Sequence, residues 1–89
     1  MLRLRLTGPM LNPPRLCNQR RLVAHFALLA DRAHFQVVAV DQMARGLLQR
    51  NWERRGYVHV EGKLGLDTSQ GAVRWLVYPT LVQRAINEV

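Results

Sequence analysis

An all-β barrel, mainly strand with one helix set into it, is the fold class this sequence predicts, on three observations. Residues 55–64, RGYVHVEGKL, pass from a basic helix end through Gly56 into an alternating strand, Val58 and Val60 against Tyr57, His59 and Glu61, which breaks at Gly62. Period-two pattern lies on both sides of that stretch, and a single window, residues 42–53, shows helical spacing. A helix feeding a short strand that bends at a glycine suits a small closed barrel better than a layered α/β domain. It points to a binding module, not an enzyme.

The elements follow in order. Leu2, Leu4 and Leu6 alternate with Arg3, Arg5 and Thr7, which makes residues 2–7 the first strand, ended by Gly8 and Pro9. Asn12, Pro13 and Pro14 mark a loop that cannot sit in a ladder. Residues 22–30 form the second strand, with Val23 and Phe26 flanking His25, and Asp31, Arg32 and Ala33 connect it tightly to a third over residues 35–40. Across residues 42–53, Met43, Ala44, Leu47, Leu48 and Trp52 share one side of a helix, and Gln42, Arg45, Gln49, Arg50 and Glu53 the other. The fourth strand covers residues 57–64. A turn-rich stretch (Gly65, Asp67, Thr68, Ser69, Gly71) leads to a fifth over residues 73–86, where Pro79 requires an edge or a bulge. Three strands, a helix, then two strands is the order of a five-stranded OB-fold, a Greek-key barrel with its helix between strands three and four.

Composition narrows the function. A chain of 89 residues, 48% hydrophobic, has room for one domain and one modest core, so residues 1–89 are expected to be a single domain. Thirteen basic residues, twelve of them Arg, face six acids, a formal charge of +7 that favours a polyanionic partner; a compositional Arg bias is the duller explanation. No apolar segment approaches a bilayer span, so no membrane is expected. Cys17 stands alone, which excludes an internal disulfide and a thiolate zinc site from this chain, and a reducing compartment follows. Five Arg and no acid in the first thirty residues superficially suggest a presequence, but the leucines alternate at strand spacing. His25, His34 and His59 lie on separate elements, and no spacing among them and the carboxylates makes a metal or acid/base motif; no catalytic residue, metal or cofactor is expected.

The chain resembles the bacterial-type single-stranded-DNA-binding proteins over nearly its whole length. LTGPMLNPPRL is similar to their first strand and loop, with Gly8 and Pro14 in register; VAHFALLA resembles the second strand; and the run from Phe35 to Leu64 follows without a gap, clearest in VHVEGKL. Such proteins stack bases on aromatic faces and lay phosphates along a positive groove. Carried over by position, the resemblance implies that Phe35 is a stacking residue. The chain departs from the family pattern where Asp41 replaces an aromatic, where the hairpin loop has shrunk to residues 31–34, and where the last hairpin, residues 65–72, is short. Trp75 can replace a lost platform.

The sequence also reaches Glu88 and Val89 without the linker and acidic tail of the bacterial proteins, which reads as an excised domain or a specialised relative. RWLVYPTLVQ, residues 74–83, looks like the closing strand of the OB-fold interaction proteins of the kinetoplastid mitochondrial RNA-editing complex. That resemblance implies a module that binds single-stranded nucleic acid and pairs with another OB-fold subunit, as homo- or hetero-oligomer, in the mitochondrial matrix. The alternative is a bacterial, plasmid or phage single-stranded-DNA-binding protein of the bacterial cytoplasm, and a third reading is a protein adaptor that binds no nucleic acid.

The residues expected to meet nucleic acid, RNA or DNA, are Phe35 and Trp75 for bases and Arg20, Arg21, Arg3, Arg5, Lys63 and Arg74 for phosphates. Phe35 is equally explained as a core residue, and Trp52 is expected to pack the helix onto the barrel. Trp75 and Tyr78 alternate onto opposite faces, so at most one is in the core. Arg54 and Arg55 suit the negative end of the helix dipole. Pairing of barrels is expected through strand one (Leu4, Leu6) and the outer side of strand four (Tyr57, His59).

Overall fold

Strand alternation decides what each segment buries. In the computed structural model, which describes residues 2–18, 20–69 and 71–85, β1 (Arg3–Pro9) turns Leu4 and Leu6 inward and Arg3, Arg5 and Thr7 outward. There follow β2 (Arg15–Asn18), β3 (Val23–Ala30), β4 (Ala33–Val40), a helix α1 (Asp41–Gln49), β5 (Tyr57–Asp67) and β6 (Arg74–Arg84). They form one sheet in the order β1-β5-β6-β4-β3-β2, antiparallel except where β4 meets β6. The class is mainly β with one helix, but there are six strands where five were expected. Pro13 and Pro14 have no N–H to give a ladder, so the opening segment breaks into β1, paired with β5, and β2, paired with β3.

The break is also a corner. Met10, fully buried, bridges to Leu28 of β3, Leu11 N–H donates to the Ala27 carbonyl at 2.8 Å, and Asn12 Oδ1 accepts from Ala27 N–H at 2.9 Å. The two ends of the sheet therefore touch without a continuous ladder, so the barrel is partly open rather than sealed. Gly8 lies inside β1 rather than ending it. A Cβ there would run into the Leu29 carbonyl, and its absence lets the two strands cross.

Gly62 likewise does not end its strand. β5 continues to Asp67, and opposite it Pro79 pairs with Gly62 while Leu81 pairs with Glu61, which leaves Thr80 as the extra residue of a bulge. A Cβ on Gly62 would strike the Tyr78 carbonyl and lie 2.7 Å from Pro79 Cα. The expected turn at residues 65–72 thereby contracts to the segment between Asp67 and Arg74, and β6 begins at Arg74 and ends at Arg84, Ile86 lying outside the described residues. Between β3 and β4 the loop is two residues, Asp31 and Arg32, both at positive φ (49° and 62°) with Ala30 and Ala33 paired across it. That is the primed turn whose twist matches a hairpin.

The helix ends earlier than its spacing suggests. Arg50 is already extended, and Trp52, beyond the end, donates its indole N–H to the Leu47 carbonyl at 2.8 Å, satisfying one of the helix's open acceptors. Arg50 and Arg84 place their guanidinium carbons 5.3 and 5.9 Å from the Trp52 ring centre. Trp52 thus packs against the core as expected, though not from the helix. Arg54 and Arg55 sit in a turn after α1, not in its last turn, and Leu48 is exposed; Ala44 and Leu47 are what the helix buries. Its first residue, Asp41, is held by Arg21 at 2.9 Å. The core around Phe26, Met10, Leu28, Val37, Val58, Val60 and Val77 is wholly apolar among the described residues.

Gly62→Ala is expected to lower stability by about 1–3 kcal/mol through overpacking at the bulge. Gly46→Ala, on α1 with nothing within 4 Å of the added Cβ, should raise it by about 0.5–1 kcal/mol, both read from urea denaturation midpoints. Hydrogen bonds hold three surface carboxyls, Asp41 exposed and Glu61 and Asp67 partly buried, below their ordinary values: Arg21 for Asp41, His59 for Glu61 and Ser69 for Asp67. A depressed carboxyl stabilises the fold above its ordinary pKa and loses that contribution as pH falls through the depressed one. Melting temperature should hold on acidification to about pH 5 and fall below about pH 4, less steeply in Glu61→Gln.

Candidate nucleic-acid interface

Register places the outward side chains in two sectors. Across β1, β5 and β6, cross-strand neighbours make rows: Arg3, Lys63 and Tyr78; then Arg5, Glu61 and Leu81; then Thr7, His59 and Gln83. The second and third rows are tied together. Thr7 Oγ1 lies 2.8 Å from His59 Nδ1, His59 Nε2 lies 2.9 Å from Glu61 Oε2, and Arg5 Nε is 3.7 Å from Glu61 Oε1. His59 and then Arg5 hold the Glu61 carboxyl below its usual range. Arg3 donates to Thr80 Oγ1 at 3.2 Å.

The second sector is the outer face of β3 and β4. It carries Val23, His25, Ala27 and Leu29 beside His34, Gln36, Val38 and Val40, with Arg15 of β2 opposite His25 and Leu76 of β6 beside Gln36. At its rim stand Arg20 in the turn before β3, Arg32 in the two-residue hairpin, and Arg74 at the start of β6. Neither strand puts a carboxylate on this face: Asp31 is at the hairpin tip and Asp41 is held by Arg21.

The expected site residues divide between these sectors. Arg20, Arg21 and Arg74 border the β3–β4 face, Trp75 alternates to the opposite side of β6 from Leu76, and Arg3, Arg5 and Lys63 belong to the β1–β5 sector. Arg21 is engaged with Asp41. Phe35 faces the same way as Val37 and Ala39 and packs, half-buried, against the core. Trp75 and Tyr78 are both exposed, at 43% and 45%, so neither is core; Trp75 extends the β5–β6 hairpin opposite Leu66, and the Tyr78 ring covers Gly65. Of the expected pairing residues, Leu6 is buried at 4% and Leu4 leans on the core, which leaves Tyr57 and His59 outward. Arg15, His25 and Gln36 were missed. Arg15 follows two prolines and read as loop, and a histidine in a strand carries no signal until register shows what stands beside it.

Among the described residues, no group of three or more His, Cys, Asp or Glu side chains could hold a metal, and no helix is long and apolar enough to cross a membrane.

No family model and no curated protein matches the chain. Solved structures do. The SSB domain of a Synechococcus sp. protein superposes with a TM-score of 0.79 at 21% identity, covering 94% of this chain and 96% of that one. The second single-stranded-DNA-binding protein (SSBb) of Mycobacterium smegmatis gives 0.83 at 17% identity, over 100% and 95%, and the small single-stranded-DNA-binding protein of Streptomyces coelicolor 0.69 at 16%, over 96% and 94%. None of these three is an RNA-editing protein, so the kinetoplastid resemblance gains nothing from them. What the likeness establishes, at such identities, is the fold: this chain is an OB-fold of the kind found in single-stranded-DNA-binding proteins.

Proposed function

We propose that this domain binds single-stranded DNA across the outer face of β3 and β4. The carrying observation is that face itself: aliphatic and imidazole side chains free of carboxylates, rimmed by Arg15, Arg20, Arg32 and Arg74. In an OB-fold the corresponding strands and flanking loops take oligonucleotides. Phosphates lie on the rim arginines, releasing counterions, and a base carried past the edge of that face, round the end of the β5–β6 hairpin, stacks on the exposed Trp75, which alternates to the opposite side of β6 from Leu76; Phe35, leaning on the core, offers at most a ring edge. Arg3, Arg5 and Lys63 serve a strand long enough to leave the face and reach the second sector. A bacterial-type strand-binding role fits the structural neighbours better than RNA editing, which no feature of the structure supports.

A second role is favoured by one feature. β1 has β5 on one side and ends the strand order on the other, so its free edge, with Tyr57 and His59 on the adjoining outer face, suits pairing with a second barrel.

Fluorescently labelled oligo-dT of roughly ten nucleotides should bind with log K falling against log salt at a slope of about −3, four phosphate contacts at about 0.7 each. Arg15→Ala should flatten that slope by about 0.7, and Trp75→Ala should cost about 1–3 kcal/mol. Arg3→Ala and Lys63→Ala should weaken only longer strands. No binding at low salt by the folded protein would refute strand binding, and tighter binding of oligo-U would shift the assignment to RNA. Sedimentation should show a dimer; a monomer at high concentration would refute the pairing.

A further inference from the structure

The β3–β4 face has no Phe, Tyr or Trp side chain, so the platforms on which bases ordinarily stack are absent from its centre. Its rings are imidazoles, His25 and His34. His25 stands mid-strand, with Arg15 opposite on β2 and Val38 opposite on β4, and its Nδ1 lies 2.6 Å from Gln36 Nε2 in a partly buried contact. An amide NH2 only donates, so Nδ1 accepts, and the neutral ring carries its proton on Nε2. Among the described residues nothing else bonds this ring.

Resting on the single-stranded-DNA reading above, we propose that His25, oriented by Gln36, is the central contact of the strand-binding face, and that its protonation adds one cation to the site. In the neutral state the pair displays a donor, Nε2–H, beside an acceptor, the free amide oxygen of Gln36, which complements the donor–acceptor edges of unpaired bases. On protonation Nδ1 becomes a donor. The Gln36 carboxamide turns over to accept from it, and the outer surface then shows only N–H groups, suited to a phosphate oxygen. The turn exchanges two groups of equal size, so His25 keeps its partner in both states.

The surroundings make that proton depend on the ligand. From β2, Arg15 faces the ring directly and the exposed Cys17 stands two residues along; β4 contributes only the uncharged Gln36 and Val38; and Asn12, in the loop before β2, is occupied by Ala27 N–H. No carboxylate among the described residues faces His25, so an arriving phosphate is the counter-ion that a protonated ring and Arg15 would share. Binding of strand and proton is then reciprocal: acidification tightens the complex, and the complex takes up a proton.

Oligo-dT affinity against salt, near pH 5 and near pH 8, should separate the possibilities in wild type, His25→Gln and His34→Gln. The wild-type slope of log K on log salt should steepen by about 0.7 at the acid pH, one added contact to a single strand. His34→Gln should keep that change and His25→Gln should lose it. Imidazole nitrogen shifts in the unmodified protein at the higher pH should show the Nε2–H tautomer, and Gln36→Met should remove the preference. A full slope change in His25→Gln, or an Nδ1–H tautomer in the wild type, overturns the assignment of His25. Salt-dependent binding that ignores pH overturns it too while leaving strand binding intact, whereas no binding at either pH takes down both.

Discussion

The corner between Gly8 and Pro14 is the constraint from which the rest of this structure follows. There the chain leaves β5 and joins β3, and each residue supplies a different physical requirement. Gly8 lets one backbone cross another at a distance no side chain tolerates, Met10 fills the space beneath the crossing, and Asn12 lends a side-chain oxygen to a β3 amide that would otherwise face an interrupted ladder. Pro13 and Pro14 then forbid any longer pairing. Without that corner the sheet would be a flat meander with β1 and β2 at remote ends. With it, both ends share one apolar core.

Curvature also decides what faces outward. Because the sheet wraps a core of small and branched aliphatics around Phe26, the polar members of each alternating strand are spread around a cylinder rather than over one plane. Charge that is nearly continuous in the sequence is therefore parcelled into sectors. One, on β1 and β5, ties its single acid, Glu61, to His59 and Arg5, while Arg3 bonds Thr80. The other, on β3 and β4, has arginines at its rim and no carboxylate on its surface, the arrangement of charge on which the proposed strand binding rests. A chemistry of aliphatics, imidazoles and one amide at its centre sets it apart from a row of aromatic platforms.

The second bend, at Gly62 and Pro79, works in the same way. A glycine without a Cβ and a proline without an N–H face each other across a bulge, one providing room and the other surrendering a hydrogen bond that the bulge would not have made. The strands continue past it as a two-stranded extension that carries Trp75 opposite Leu66, aromatic and aliphatic surface kept outside the core. Glycine and proline here turn strands rather than end them. That is why reading Gly8 and Gly65 as terminators ended β1 and β5 too soon.

Local pattern was enough for much of this. The apolar alternation at Leu4 and Leu6 and at Val58 and Val60, the helical spacing around Ala44 and Leu47, and the tight turn at Asp31 are properties of adjacent residues, so the order of the helix and of every strand but β2 was legible in the sequence. The excess of arginine over acid, and with it the expectation of an anionic partner, is likewise a property of the chain by itself. Where the helix ends, however, depends on Trp52 reaching back to the Leu47 carbonyl, and whether Leu6 is interface or core depends on what β3 and β5 close over it. The pairing of Gln36 with His25 and the separation of Arg3 from Arg20 depend on register and curvature. Those are relations between segments distant in sequence, set by hydrogen-bond pairing across the sheet, and only the tertiary structure decided them.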